Sequence, residues 1–196
     1  MIAAPQTSLT PSPLRLLPQN TLLLCVDIQE RLCPAMPEDA LAGLIRNTVR
    51  LLCGAAALGV PVIVSEQYRR GLGTTISDIA AHIPEDAVNL EKIEFSVWAN
   101  PELAAAIAQT GRSQIVVCGM ESHICVYQSV RDLAHAGYQV NVPHDAVCSR
   151  VAENARVGLS LAERAGSVIT ATETILFDWL HRAGTPQFKT ISALVR

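Results

Sequence analysis

Four times in this chain an apolar helical stretch stops at a glycine, and a β-branched or aromatic strand begins within a few residues: at Gly59, Gly111, Gly137 and Gly166. Glycine accepts the left-handed conformation that closes a helix, and helices alternating with short apolar strands mark βα units. Thr21–Val26 (TLLLCV) is apolar throughout, as expected of a central parallel strand buried on both faces. The chain therefore reads as an open α/β sheet with helices on both faces.

The same pattern predicts strands over 21–26, 60–65, 87–90, 114–118, 138–142 and 168–170. Helices are expected over 41–58, from Pro101 to Gly111, and over 122–136, 151–165 and 173–182. Pro101 sits at the favoured first position of its helix. Residues 67–86 are glycine-rich and irregular, with a short helix near 76–82. Four prolines within residues 1–20 predict a loosely held tail, leaving 21–196 as one domain. The longest apolar runs are strand-sized and broken by Asp, Gly or Pro, so no membrane-spanning segment is expected. The N-terminus lacks the charged and apolar regions of a secretion signal. A net charge of −3 gives no basic footprint for nucleic acid. These features predict a cytoplasmic protein with neither nucleic-acid nor membrane partners.

Of the six cysteines, Cys25 and Cys118 fall inside apolar strands and Cys53 inside an apolar helix. Reduced cysteine behaves there as a small hydrophobe. No CxxC pair or zinc-type Cys/His spacing occurs in the sequence. Reduced cysteines in an intracellular setting are expected.

Candidate chemistry centres on VVCGMESHICV, residues 116–126. A buried strand breaks at Gly119 and re-enters a helix, putting Cys125 in the first turn. The unpaired N–H groups and positive dipole end there favour a thiolate over a thiol. Asp27 ends the first strand and Lys92 follows the third, and ligand sites in such sheets lie at the carboxyl ends of strands. Taken singly, Asp27 reads as a strand cap, Lys92 as a solvated lysine and Cys125 as a core residue. Their agreement in topology suggests a Cys–Asp–Lys hydrolase. His123 is two residues from Cys125, on a different side of the helix, and reads as a structural or subunit contact.

The motifs VDIQERL, SEQYRRGLG, EKIEFSVW and VVCGMESHICVYQSVRDL resemble the isochorismatase-like cysteine hydrolases, nearest to a metal-free branch of small hydrolases. The resemblance runs from about Leu22 to the C-terminus. It implies a three-layer α/β/α, Rossmann-like open parallel sheet of about six strands. It also implies a hydrolase acting on non-peptide C–N bonds: a small amide, imide or carbamoyl-type substrate cleaved through a cysteine thioester. By the same resemblance Asp27 is the general base, Lys92 the catalytic lysine and Cys125 the nucleophile. The oxyanion donors are then the backbone N–H groups of Glu121 and Cys125, with a cis peptide between Met120 and Glu121. Relatives form dimers or larger assemblies, which implies a homo-oligomer.

Metal-holding relatives carry an Asp-x-His pair after the second strand. Here that segment is Ser65-Glu66-Gln67-Tyr68-Arg69-Arg70, without histidine, and Glu66 with His82 makes a weak ligand set. No metal or other cofactor is expected. Gln67 and Tyr68 are placed to line a substrate pocket. Phe95 and Trp98 are spaced to wall it or to pack in the core beneath it, and the loop 29–36 forms another wall. Arg69 reads either as a carboxylate clamp or as a solvated loop charge. Two other classes remain open. One is a catalytically silent family member that binds a ligand or protein partner; the other is a thiol-redox protein pairing Cys125 with Cys118 or Cys148.

Overall fold

The computed structural model describes residue 12 and residues 14–196. Seven parallel strands form the sheet: β1 (Thr21–Val26), β2 (Val62–Gln67), β3 (Val88–Lys92), β4 (Gln114–Met120), β5 (Gln139–Pro143), β6 (Val147–Cys148) and β7 (Val168–Thr170). Their order is β3-β2-β1-β4-β5-β7, with the two-residue β6 pairing β4. Chain order reverses between β1 and β4, so the crevice at their carboxyl ends is the natural place for a site.

Side-chain alternation divides β1 between two cores. Leu23 and Cys25 face one layer of helices, and Leu22, Leu24 and Val26 face the other. The first layer contains α1 (Glu38–Leu58), α3 (Ser77–Ala80), α7 (Thr172–Leu180) and α8 (Phe188–Leu194), with Leu44, Leu51, Ile79, Ile175, Trp179 and Ile191 buried. The second contains α4 (Pro101–Gln109), α5 (Tyr127–His135) and α6 (Ala152–Arg164), with Leu103, Ile107, Val130, Leu133 and Ala162 buried. The expected three layers are present, with one short strand more than anticipated.

Several boundaries follow from local chemistry. α1 starts behind Pro37 with Glu38 and Asp39 in its first turn, where carboxylates suit the positive end of the dipole. It ends at Gly59 with φ +68°, whose N–H donates to Ala55 O. Pro61 delays β2 to Val62, so the strand runs two residues further than expected and includes Gln67. Asn100 caps α4, its Oδ1 accepting from Leu103 N at 3.0 Å, ahead of Pro101. The short α2 (Arg69–Leu72) follows β2 directly.

Two expectations need correction. α1 is long and apolar enough to cross a membrane by length and composition alone, with mean hydropathy 1.3. The sequence reading missed this, because polar residues such as Arg46, Asn47 and Arg50 interrupt the apolar run; Leu44, Leu51 and Leu52 pack against the sheet. Within the stretch expected to be a loose tail, residues 14–20 are held in place. Leu16 is buried, its N–H donates to an Asp178 carboxylate oxygen at 3.1 Å, and Leu17 N–H donates to Gln114 Oε1 at 2.8 Å. Residues 1–11 and 13 lie outside the described residues.

Candidate active site

The chain leaves β1 at Asp27 with φ +54°, a left-handed conformation that aspartate tolerates better than most residues. Asp27 N–H donates to Ser65 O at 3.0 Å, extending the β1–β2 ladder one residue past the strand. The carboxylate is thereby fixed at the sheet edge. Its Oδ1 accepts from Ser65 Oγ at 2.7 Å, and its Oδ2 accepts from Lys92 Nζ at 2.6 Å.

Lys92 is the last residue of β3, one strand beyond β2, and its side chain reaches back across β2 to Asp27. A second acceptor, Gln67 Oε1, lies 2.6 Å from Nζ. Gln67 is itself pinned. Its N–H donates to Gln29 Oε1 at 2.7 Å, its carbonyl accepts from Gln29 Nε2 at 2.9 Å, and its Nε2 donates to Ile93 O at 2.7 Å. Every hydrogen-bonding partner of this buried ammonium is therefore held by backbone or by another side chain, which is what a buried charge requires.

β4 delivers the third group. At Gly119 (φ +125°) a Cβ would stand 2.0 Å from Val26 O, so only glycine lets β4 pass the end of β1 this closely. A cis peptide joins Met120 to Glu121. Ser122–Val126 then forms a single π-type turn that runs into α5, with Glu121 at the cap position and Cys125 fourth in the turn. Ser129 Oγ donates to Cys125 O at 2.6 Å and accepts from Val97 N–H at 3.0 Å. From the far side Gly158 of α6 presses on the turn: a Cβ there would lie 2.6 Å from Ser122 O. These contacts bring Cys125 beside Asp27 and Lys92, close enough for both charges to act on its thiol.

The electrostatics reverse one expectation. Burial and the neighbouring Asp27 carboxylate push the Cys125 thiol up to about 12, and Lys92 only partly opposes them. Burial also pushes the Asp27 carboxyl above the ordinary range, against the pull of Lys92, Ser65 and Cys125. Both shifts favour the thiol form of Cys125 next to Asp27. Desolvation and the neighbouring Asp27 charge oppose the thiolate that the partial positive charge of a helix start favours.

A cavity of about 110 Å³ opens beside Cys125, lined by Leu32, Gln67, Leu72, Phe95, Met120, Glu121, Ile124 and Cys125. Of the residues expected to line a pocket, Gln67 and Phe95 border this cavity, and Leu32 comes from the loop 29–36. Tyr68 and Trp98 do not line the cavity. Tyr68 takes φ +38° and turns outward, 47% exposed, because the chain bends there from β2 into α2. Trp98 packs with the α4–α6 core, edge-on to Tyr138 with ring centroids 5.4 Å apart. Ser65, Leu72, Met120 and Ile124 were missed. For Met120 and Ile124 the signal was available, since they flank the turn in the same motif as Cys125.

Arg69 is engaged within the protein. Its Nε pairs with Glu66 Oε2, and its Nη2 donates to Asn89 Oδ1 at 3.0 Å. Glu66 Oε1 also accepts from Thr75 N at 2.6 Å and from Thr75 Oγ1 at 2.7 Å. Burial pushes the Glu66 carboxyl up, but these hydrogen bonds prevail and hold it below the ordinary range. His123 Nδ1 lies 3.0 Å from Ser149 Oγ, apart from the Asp27–Lys92 pair. Among the described residues no group of three or more His, Cys, Asp or Glu side chains is arranged to hold a metal ion.

The Isochorismatase domain family model matches residues 21–174. The secreted isochorismatase effector Isc1 of Phytophthora sojae is 34% identical over 187 residues, covering 93% of this chain and 87% of that protein. Isochorismatase domain-containing protein 1 of Danio rerio is 35% identical over 180 residues, covering 91% of this chain but only 62% of the zebrafish protein. Among solved structures, a MAR1 ribonuclease from Caenorhabditis elegans superposes with a TM-score of 0.86 at 29% identity, covering 92% of each chain.

Proposed function

This chain belongs to the isochorismatase family, and on that premise we propose that it is a cofactor-free cysteine hydrolase of small amide, imide or carbamoyl-type substrates. The observation that carries the reading is a single convergence. Cys125 borders a small cavity and stands close enough to a fully buried Asp27–Lys92 pair for both charges to act on its thiol.

In this reading the Cys125 thiol hydrogen-bonds the Asp27 carboxylate until substrate displaces water from the cavity. Asp27 takes the thiol proton as Sγ attacks the carbonyl carbon, so no free thiolate need accumulate. Lys92 stays protonated and offsets the negative charge shared between carboxylate and sulfur. The carbonyl oxygen becomes an oxyanion and accepts from the backbone N–H groups of Glu121 and Cys125. Asp27 returns its proton to the departing nitrogen, the C–N bond breaks, and an acyl thioester remains on Cys125. Asp27 then takes a proton from water as the water attacks the thioester. Sγ leaves, is reprotonated, and the acid departs.

The proposal includes a reducing, cytoplasmic setting. All six cysteines are unpaired, and Cys25 Sγ lies 3.6 Å from Cys118 Sγ without a bond. The Phytophthora relative is, by its name, secreted. A homo-oligomer is also part of the reading, supported by the exposed Val151 and Val157 at and along α6. The nematode protein is called a ribonuclease. A cavity whose lining contains no basic residue gives little support to RNA here.

The test is a screen of small amides for release of the amine, with acid-quenched peptide mass spectrometry for an acyl group on Cys125. Cys125→Ala is expected to abolish turnover, and Asp27→Asn to slow it by about 100- to 10,000-fold. His123→Ala is expected to remain active. An equal loss in His123→Ala would overturn the assignment of roles.

A further inference from the structure

The cavity beside Cys125 also limits what the acyl part of a substrate can be. Its walls are apolar where they face empty space: Leu32, Leu72, Phe95, Met120 and Ile124. The polar groups around it are already engaged. Gln67 accepts from Lys92 through Oε1 and donates to Ile93 O through Nε2. The Glu121 carboxylate turns to Arg150, accepting from its backbone N–H at 3.0 Å and its Nε at 3.1 Å. Of the two arginines in the neighbouring loop, Arg69 is held by Glu66 and Asn89, and neither Arg69 nor Arg70 lines the cavity.

Among the residues that line the cavity, an incoming carboxylate would thus find no cation, and an incoming ammonium no carboxylate but the Glu121 already paired to Arg150. A charge moved from water into such surroundings pays its desolvation without a partner. The volume sets a second limit. About 110 Å³ beside Cys125 is room for a compact group and not for an extended or polycyclic one.

Resting on the hydrolase reading above, we propose that the enzyme selects a compact, uncharged, aliphatic acyl group, and rejects acyl groups bearing a carboxylate or an ammonium. Leu72, Phe95 and Ile124 act as the specificity wall, and the leaving nitrogen faces the open mouth.

The experiment compares three activated acyl donors: the 4-nitrophenyl esters of isobutyric acid, of succinic acid (monoester, second carboxylate free) and of 4-aminobutyric acid. Cys125 Sγ attacks each ester carbonyl, 4-nitrophenolate departs, and the thiol proton passes through Asp27 to solvent. Acid-quenched peptide mass spectrometry gives the rate at which the acyl group appears on Cys125, apart from the nitrophenolate that the succinyl and aminobutyryl esters release by cyclising on themselves. The isobutyryl donor is expected to acylate Cys125 about 100-fold faster than either charged donor. Leu72→Arg, which adds a cation to the wall, is expected to move the preference towards the succinyl donor. A succinyl or aminobutyryl rate within about tenfold of the isobutyryl rate would overturn the selectivity while leaving the hydrolase reading intact. Failure of all three donors to acylate Cys125 would overturn both.

Discussion

Lys92 Nζ lies 2.6 Å from Asp27 Oδ2, and neither side chain has any exposure to solvent. The pair spans β2, joining the edge strand β3 to the end of the central β1. Ion pairs this deeply buried gain attraction but lose hydration, and the two effects nearly cancel. Such a pair adds little net stability, so its presence here fits chemistry better than architecture.

That balance predicts an asymmetry in stability. Asp27→Asn alone, or Lys92→Met alone, leaves one uncompensated buried charge or polar group and is expected to destabilise the fold by about 3–5 kcal/mol. The double variant is expected to recover most of that loss while remaining inactive; asparagine suits the φ +54° conformation at this position. Urea unfolding of the four proteins reads the cycle directly. Additive losses in the double variant would contradict the account.

The turn that carries Cys125 depends on a close helix approach. Gly158→Ala would put a methyl group 2.6 Å from the Ser122 carbonyl carbon and oxygen and 2.7 Å from His123 N. Backbone must move, which is expected to lower stability by about 1–3 kcal/mol. A displacement of Cys125 near 1 Å is expected to slow acylation by about 100-fold. Rapid-mixing acylation kinetics alongside thermal unfolding will separate the two effects.

Glu66 anchors the loop from Gln67 to Thr75 that covers one side of the cavity. Because its carboxyl is held below the ordinary range in the folded protein, its contribution is present above the unfolded value of about 4.3 and is lost as pH falls through the folded value. Hydrogen exchange at the Thr75 amide, whose acceptor is Glu66 Oε1 at 2.6 Å, is expected to lose protection in acid. Glu66→Gln is expected to lose that protection at neutral pH as well, with about 1–3 kcal/mol of stability.

Much of this arrangement was legible in the chain. Glycine-terminated helices and the apolar run of β1 pointed to the parallel sheet, and strand ends at Asp27 and Val116–Gly119 pointed to its carboxyl edge. Strand order was not readable, so nothing in the sequence put Lys92 two strands from Asp27 with Gln67 between them. Ser65 escaped notice because one hydroxyl in a buried strand has no pattern of its own. Tyr68 and Trp98 were misplaced because side-chain direction there depends on a single left-handed residue and on a short turn at Val97–Ala99. The Cys125 proton was misjudged for a related reason. Sequence reveals a helix start, but not how deeply a thiol is buried or which carboxylate lies beside it.

The central claim is that Cys125 rests as a thiol and gives its proton to Asp27. Iodoacetamide alkylation of Cys125 as a function of pH, read by peptide mass spectrometry in the wild type and in Asp27→Asn, tests it most directly. With the thiol pushed up to about 12, the wild-type rate is expected to climb through pH values of about 10 without reaching a plateau. The Asp27→Asn midpoint is expected to shift downward, because the carboxylate that opposes ionisation is gone while Lys92 remains. A wild-type plateau at or below the ordinary thiol value of about 8.5, or a midpoint that Asp27→Asn leaves in place, would contradict the account.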